Sequence, residues 1–252
     1  MTDAMTSPAV IGLIPAAGRG RRLGPLPFSK ELYPLSIQDG DEDGTGRIKV
    51  VSEYLFDHLR AAGVRKAFVV LRDGKWDIPS YWGDGSRAGM DVGYLMMGRP
   101  DGTAFTLDQA YAFVRDQVVV MGFPDVLFEP VDAYVALLER QQTTGADLVL
   151  GLFPASHPEK VDMVELDADG RPQQIVIKPA ATSLSYTWVC AVWGPAFTQY
   201  LHDHVAAAAA HEIPEHDEMH IGHVMQAALQ DGLYVEAVCF PEGRCADIGT
   251  PD

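Results

Sequence analysis

Short apolar runs alternate with amphipathic stretches along the chain. Val10-Ile11-Gly12-Leu13-Ile14, Lys66 to Leu71, Val118 to Met121, Asp147 to Phe153 and Leu233 to Phe240 have the length and branching of buried strands. Between them, Val51, Leu55, Leu59 and Ala62 recur at helical spacing, and Gly63 suits the position just past a helix end. Val131, Tyr134, Val135 and Leu138 predict a helix to Thr144, and Pro195 to His211 predicts another, strengthened by its Ala206 to Ala210 run. Thr106 to Phe113 is expected as one helix, with Leu107, Ala110 and Tyr111 on one side. Strand, helix and strand in succession predict right-handed βαβ units and a parallel sheet. Asp169-Gly170 is a favoured hairpin turn, so Val164 to Gly170 predicts a hairpin with Gln174 to Pro179 as its returning strand. Ser36 to Lys49 is polar and Gly-rich, with Asp39, Asp41, Glu42 and Asp43, and reads as a mobile loop.

Composition narrows the class. With 252 residues the chain can bury the core of one α/β domain. No apolar run is long enough to span a membrane. The start, MTDAMTSPA, lacks a basic region and an apolar stretch and reads as a disordered lead rather than a signal peptide. Cys190, Cys239 and Cys245 form no CxxC pair, so reduced thiols and a cytoplasmic location are expected. The net charge of −16 argues against a nucleic-acid partner. It also makes the cluster Arg19, Arg21, Arg22 and Lys30 conspicuous, because cations concentrated in an acidic chain point to a bound anion.

Those cations follow the first predicted strand in Pro15-Ala16-Ala17-Gly18-Arg19-Gly20-Arg21-Arg22. Small residues let backbone N–H groups approach a phosphate closely; a plain strand-to-helix turn with solvated arginines is the other reading. A dinucleotide fingerprint would need a third glycine where Leu23 stands, and a P-loop would need a closing Gly-Lys-Ser/Thr. Asp125 lies just past the Val118 to Met121 strand, where open α/β sheets bind ligands, and suits a magnesium ligand as well as a surface turn. The histidines at 202, 204, 211, 216, 220 and 223 lack the HExxH order and a nearby cysteine; they read as surface residues on two helices, not a zinc centre.

Taken together, Ala16-Ala17-Gly18-Arg19-Gly20-Arg21-Arg22-Leu23-Gly24-Pro25 and Ser29-Lys30-Glu31-Leu32-Tyr33-Pro34 resemble the two-part signature of the sugar-1-phosphate nucleotidylyltransferases. Arg21 replaces the family's usual Thr and Ser29 its usual Pro. The resemblance continues through Tyr81-Trp82-Gly83-Asp84-Gly85-Ser86, through Tyr94, Pro100, Gly102 and Ala104, and through Cys245-Ala246-Asp247-Ile248-Gly249-Thr250-Pro251. It implies a three-layer α/β fold with a mostly parallel, Rossmann-like sheet, and transfer of a nucleotidyl group from a nucleoside triphosphate to a sugar-1-phosphate.

The resemblance also assigns roles. Ala16, Ala17, Gly18 and Gly20 would hold the nucleotide, with Gly102 letting the base lie close and Met97 standing at the family's base-reading Gln. Arg22 and Lys30 would act on the phosphates. Asp125 and Asp247 would bind Mg²⁺. Lys178 would contact the acceptor phosphate, while Asp162 and Trp188 would line the acceptor pocket. Met97, Asp162 and Ile177 depart from the family pattern, which leaves the base and the acceptor open: dTTP or UTP with a hexose-1-phosphate, or a cytidylyl acceptor such as phosphocholine. A binding module without turnover is a further reading, and assembly into a homo-oligomer is compatible with the resemblance.

Overall fold

The computed structural model describes residues 8–18, 20, 24, 26–38, 47–98, 101–210 and 218–249. A nine-stranded sheet forms its centre. Strand β1 (Val10–Pro15) lies between β4 (Lys66–Arg72) and β6 (Val118–Gly122), parallel to both, and β5 (Asp91–Met97) extends the parallel run beyond β4. On the other side β11 (Tyr186–Trp193) runs antiparallel to β6 and also to β8 (Leu148–Pro154), and β12 (Val235–Cys239) closes that side parallel to β8. The hairpin of β9 (Met163–Leu166) and β10 (Pro172–Val176) branches from the start of β11. Only β10 and β11 run against the other strands of this sheet, as expected of a mostly parallel fold.

Alternation along the central strands builds three layers. In β6, Val119 and Met121 face one cluster and Val118 and Val120 the other. The first face is covered by α3 (Thr103–Asp108), α4 (Tyr111–Val114), α6 (Pro195–Ala209) and α7 (Ile221–Gln230), which contribute Leu107, Val114, Leu201 and Val224. The opposite face is covered by α1 (Val51–Ala61), α2 (Asp77–Trp82) and α5 (Ala133–Thr144), through Leu55, Leu59, Trp82 and Tyr134. In α1 the period of Val51, Leu55 and Leu59 sets the buried stripe, and Gly63 turns the chain at φ 75°.

Two sequence expectations change. The helix expected over 106–113 is broken: α3 starts earlier, and Gln109 and Ala110 separate it from α4. The loop expected over 36–49 is flanked by strands, β2 (Pro34–Gln38) and β3 (Arg47–Val50), which pair antiparallel with Ile37 opposite Ile48; residues 39–46 lie outside the described ones. Their alternation is too short to distinguish from a polar turn. The tract 76–90 holds α2 and a 3₁₀ turn at Ser86–Ala88. Finally, β7 (Val126–Glu129) and β13 (Arg244–Asp247) form a separate two-stranded sheet, a pairing between distant segments that neither reveals alone.

Candidate functional site

The β7–β13 ladder brings two acids together. Asp247 pairs in register with Val126, and the Ile248 N–H donates to the Asp125 carbonyl at 3.1 Å. The Gly249 N–H turns back onto Asp247 Oδ1 at 2.8 Å. Asp125 is buried, with only 7% exposure, and its carboxylate is ion-paired with the Lys30 ammonium. A β-carbon on Gly249 would sit 2.9 Å from Asp125 Oδ2, 3.0 Å from Asp247 Oδ1 and 3.3 Å from Lys30 Nζ. Both carboxylates and the ammonium therefore converge on one glycine.

Lys30 stands at the start of a 3₁₀ turn, Lys30–Leu32. Its stem runs past the glycine loop, with Cε 3.9 Å from where a β-carbon on Gly18 would be and Cδ 4.0 Å from that of Gly20. The loop leaves β1 with Ala16 and Ala17 buried, and the Ala16 N–H donates to the Val70 carbonyl at 2.9 Å. Burial works against the charge on Lys30, but Asp125, Glu31 and Asp247 outweigh it and hold the ammonium above the ordinary lysine range. Arg22 lies outside the described residues.

Two further nucleotide candidates are Met97 and Gly102. Met97 is buried at the end of β5, and its sulfur receives the Thr106 hydroxyl at 3.4 Å. Gly102 has φ 113°, and the space over it is taken by chain rather than left open: a β-carbon there would lie 2.6 Å from Met219 N. The Met219 N–H donates to the Asp101 carbonyl at 3.0 Å, the Ala104 N–H to the Met219 carbonyl at 3.1 Å, and the Ile221 N–H to the Thr103 hydroxyl at 2.8 Å. A side chain at Gly102 would thus collide with the backbone of residue 219.

The third group of candidates meets at the start of α7. Asp162 precedes β9, and its carboxylate packs against Gly222, with Cγ 3.3 Å from where a β-carbon would sit. Lys178 follows the hairpin with φ 38°, the only positive φ outside glycine among the described residues. Such a conformation is costly for a side chain-bearing residue and is typical of functional positions. Trp188 is 8% exposed on β11 and tilts against Phe123, two residues before Asp125, at 5.8 Å between ring centres. Burial pushes the Asp162 carboxyl up, while Lys178, His220, His223 and the Trp188 indole N–H favour its charged form. The indole and the carboxylate are near enough to feel each other but do not close to hydrogen-bond geometry: Trp188 Nε1 and Asp162 Oδ1 are both buried without a hydrogen-bond partner among the described residues.

His220 is half-buried rather than on the surface, whereas His223 is exposed, as the surface-histidine reading expects. His220 precedes the first turn of α7 and His223 lies within it, their rings stacked at 5.9 Å. Burial and then Lys178 push His220 below the ordinary histidine value, against the pull of Asp162 and Glu218. Only the register of α7 against the β9–β10 hairpin brings them to Asp162, so sequence spacing offered no signal. His216 lies outside the described residues.

The donor set suits a hard divalent ion. Two carboxylates face each other across a glycine whose missing side chain leaves room, and oxygen donors with phosphate oxygens as further ligands match magnesium chemistry. No helix of the described residues is long and apolar enough to cross a membrane.

Comparison with known proteins identifies the family. The model of the nucleotidyl transferase family matches residues 11–252. The low-salt glycan biosynthesis nucleotidyltransferase of Haloferax volcanii is 26% identical over 246 residues, covering 96% of this chain and 63% of that protein. The glucose-1-phosphate thymidylyltransferase of Streptomyces antibioticus is 25% identical over 238 residues, covering 94% of this chain and 62% of that protein. The chain thus spans somewhat less than two thirds of the length of these relatives. A solved structure assigned as a glucose-1-phosphate thymidylyltransferase from Bacillus anthracis superposes with a TM-score of 0.78 at 19% identity, covering 96% of this chain and 91% of that one, and shares its fold. Enzymes of this family are generally dependent on a divalent metal. With its fold and its matched span in agreement, the chain belongs to the nucleotidyl transferase family.

Proposed function

We propose that this protein transfers a nucleotidyl group from a nucleoside triphosphate to a sugar-1-phosphate, releasing pyrophosphate and forming a nucleoside-diphosphate sugar. The observation that carries the proposal is the convergence of Lys30, Asp125 and Asp247 on Gly249, beside the Gly18–Gly20 loop. An acceptor phosphate is already an anion and needs no general base, so the demands on the protein are alignment and charge neutralisation. Ala16, Ala17, Gly18 and Gly20 offer backbone to the triphosphate, and Arg22 is assigned to the departing pyrophosphate. Lys30 exchanges Asp125 for the α-phosphate region. Lys178 holds the acceptor phosphate, its strained backbone keeping it in place. Asp125 and Asp247 would hold Mg²⁺, which supplies further neutralisation of phosphate charge.

The acceptor side favours a hydroxylated molecule. Trp188 Nε1 is a donor and Asp162 Oδ1 an acceptor, both unpartnered among the described residues and near one another. A sugar hydroxyl both accepts and donates, whereas a trimethylammonium does neither. Met97 forms the floor of the base side instead of reading the base, so the base preference rests on the relatives: dTTP or UTP comes first.

The test is pyrophosphate release with Mg²⁺, each of five triphosphates being paired with sugar-1-phosphates and with non-sugar phosphomonoesters such as phosphocholine. Release with dTTP or UTP and a hexose-1-phosphate is expected. Release with CTP and phosphocholine alone would replace this reading with the cytidylyl one. Silence over the whole grid, with nucleotide binding intact, would leave a binding module.

A further inference from the structure

Lys30 is gripped through both of its chain neighbours, and both grips come from one short stretch, Lys75 to the first residue of α2. On one side, the Ser29 N–H donates to Asp77 Oδ2 and the Ser29 hydroxyl to Asp77 Oδ1, each at 2.6 Å. On the other, Glu31 is ion-paired with Lys75; the two are 2% and 4% exposed. The Leu32 N–H closes the turn onto the Ser29 carbonyl at 2.8 Å. Residues 29–31 are thus fixed at both ends while the Lys30 side chain alone reaches Asp125.

We propose that Asp77 and Lys75 are positioning residues that aim Lys30 at the phosphates, the Asp77–Ser29 contact doing by hydrogen bonding what a proline ring does covalently. The backbone supports this equivalence. Ser29 has φ −64° and ψ 133°, the angle to which a proline ring locks its own φ. A serine at this φ retains freedom that a proline lacks, and two hydrogen bonds to the half-buried Asp77 carboxylate remove it. The Glu31–Lys75 pair adds an anchor that cannot swing out without leaving a buried charge unpaired. The inference rests on the phosphate role of Lys30 in the proposed function.

The test is a cycle of four proteins: wild type, Asp77→Ala, Ser29→Pro and the double variant, with Asp77→Asn as a milder step that keeps one acceptor oxygen. Steady-state rates are measured with the best triphosphate and acceptor, alongside thermal unfolding. Asp77→Ala is expected to lower kcat about tenfold with the acceptor KM little changed, and Asp77→Asn to fall between it and wild type. Adding Ser29→Pro to Asp77→Ala should restore most of the lost kcat, because the ring fixes residue 29 and removes the orphaned N–H. A purely structural role of Asp77 at the start of α2 would not be rescued by a proline at position 29. Wild-type kcat in Asp77→Ala, or a double variant as slow as Asp77→Ala, overturns the proposal. If wild type transfers nothing, the transferase reading fails by itself. The same proteins are then compared by calorimetric titration with the triphosphate, where weaker binding in Asp77→Ala and recovery in the double variant still support the positioning role, and equal binding in all four overturns it.

Discussion

Asp125 and Asp247 are neighbours because the backbone makes them so: the Ile248 N–H donates to the Asp125 carbonyl at 3.1 Å, next to the register pair of Asp247 with Val126. Two carboxylates brought side by side repel, and the cost is met here by the Lys30 ammonium between them and the glycine loop. Such an arrangement is poised for a cation or for the phosphates that accompany one.

Lys30 is expected to act on the reaction rather than on folding. Lys30→Ala should lower turnover at least tenfold. The loss should fall on kcat, since the group around Lys178 and Asp162, proposed to hold the acceptor, is separate. Pyrophosphate release under saturating substrates checks this, and wild-type turnover would remove Lys30 from the mechanism.

Gly249 has no room for a side chain. In Gly249→Ala the new methyl would meet Asp125 Oδ2 at 2.9 Å and Asp247 Oδ1 at 3.0 Å, so the acids must part. Turnover should drop about tenfold or more and the Mg²⁺ concentration for half-maximal rate should rise, because metal sites tolerate small displacements poorly. Thermal unfolding should move little, since the affected ladder lies outside the nine-stranded sheet. A magnesium titration of the variant distinguishes this from simple loss of folding.

Gly102→Ala should instead destabilise the protein. The residue sits at φ 113°, and a methyl would lie 2.6 Å from Met219 N and 2.7 Å from Met219 C. Backbone strain of this kind costs about 1–3 kcal/mol before any displacement of the 218–221 segment is counted. Urea unfolding of wild type and variant reads the difference; equal midpoints would show that the segment gives way freely.

His58 gives stability an acid limb. It is 4% exposed on α1, its Nδ1 lies 2.9 Å from the Val131 carbonyl and its ring stacks on Phe128 at 4.0 Å. Burial depresses its pKa below the ordinary histidine value, outweighing the carbonyls of Val131 and Phe128. With the folded pKa depressed, the unfolded chain binds the proton first. The contribution is complete above about pH 6.5 and is lost progressively as pH falls toward the folded value. Chemical denaturation between pH 7.5 and 5 should show a shallower pH slope for His58→Gln than for wild type; equal slopes would assign the acid sensitivity elsewhere.

What the sequence disclosed follows the range of the forces involved. Helix α1 and the central strand β6 are written in local periodicity, and they appear where Val51, Leu55 and Leu59 and the Val118 to Met121 run predict them. The site residues Lys30, Asp125 and Asp247 were legible through motif resemblance, and the structure brings all three together. Contacts between distant segments were not legible. Nothing around Gly102 announces that Met219 fills the space above it, nothing in the histidine spacing points to Asp162, and Asp77 gives no sign in sequence that it holds Ser29. Such relations depend on where the sheet carries each loop, which local patterns do not encode.

The separate two-stranded sheet gives the site a stability of its own. Strand β6 is buried at every position, whereas β13 is largely exposed and, among the described residues, pairs in a ladder only with β7. Segments of this kind open locally at a free energy well below that of global unfolding. Fraying of β13 would carry Asp247 away from Asp125 while the layered core stayed shut. On warming, the protein would therefore lose its chemistry before its shape, and recover it on cooling without refolding.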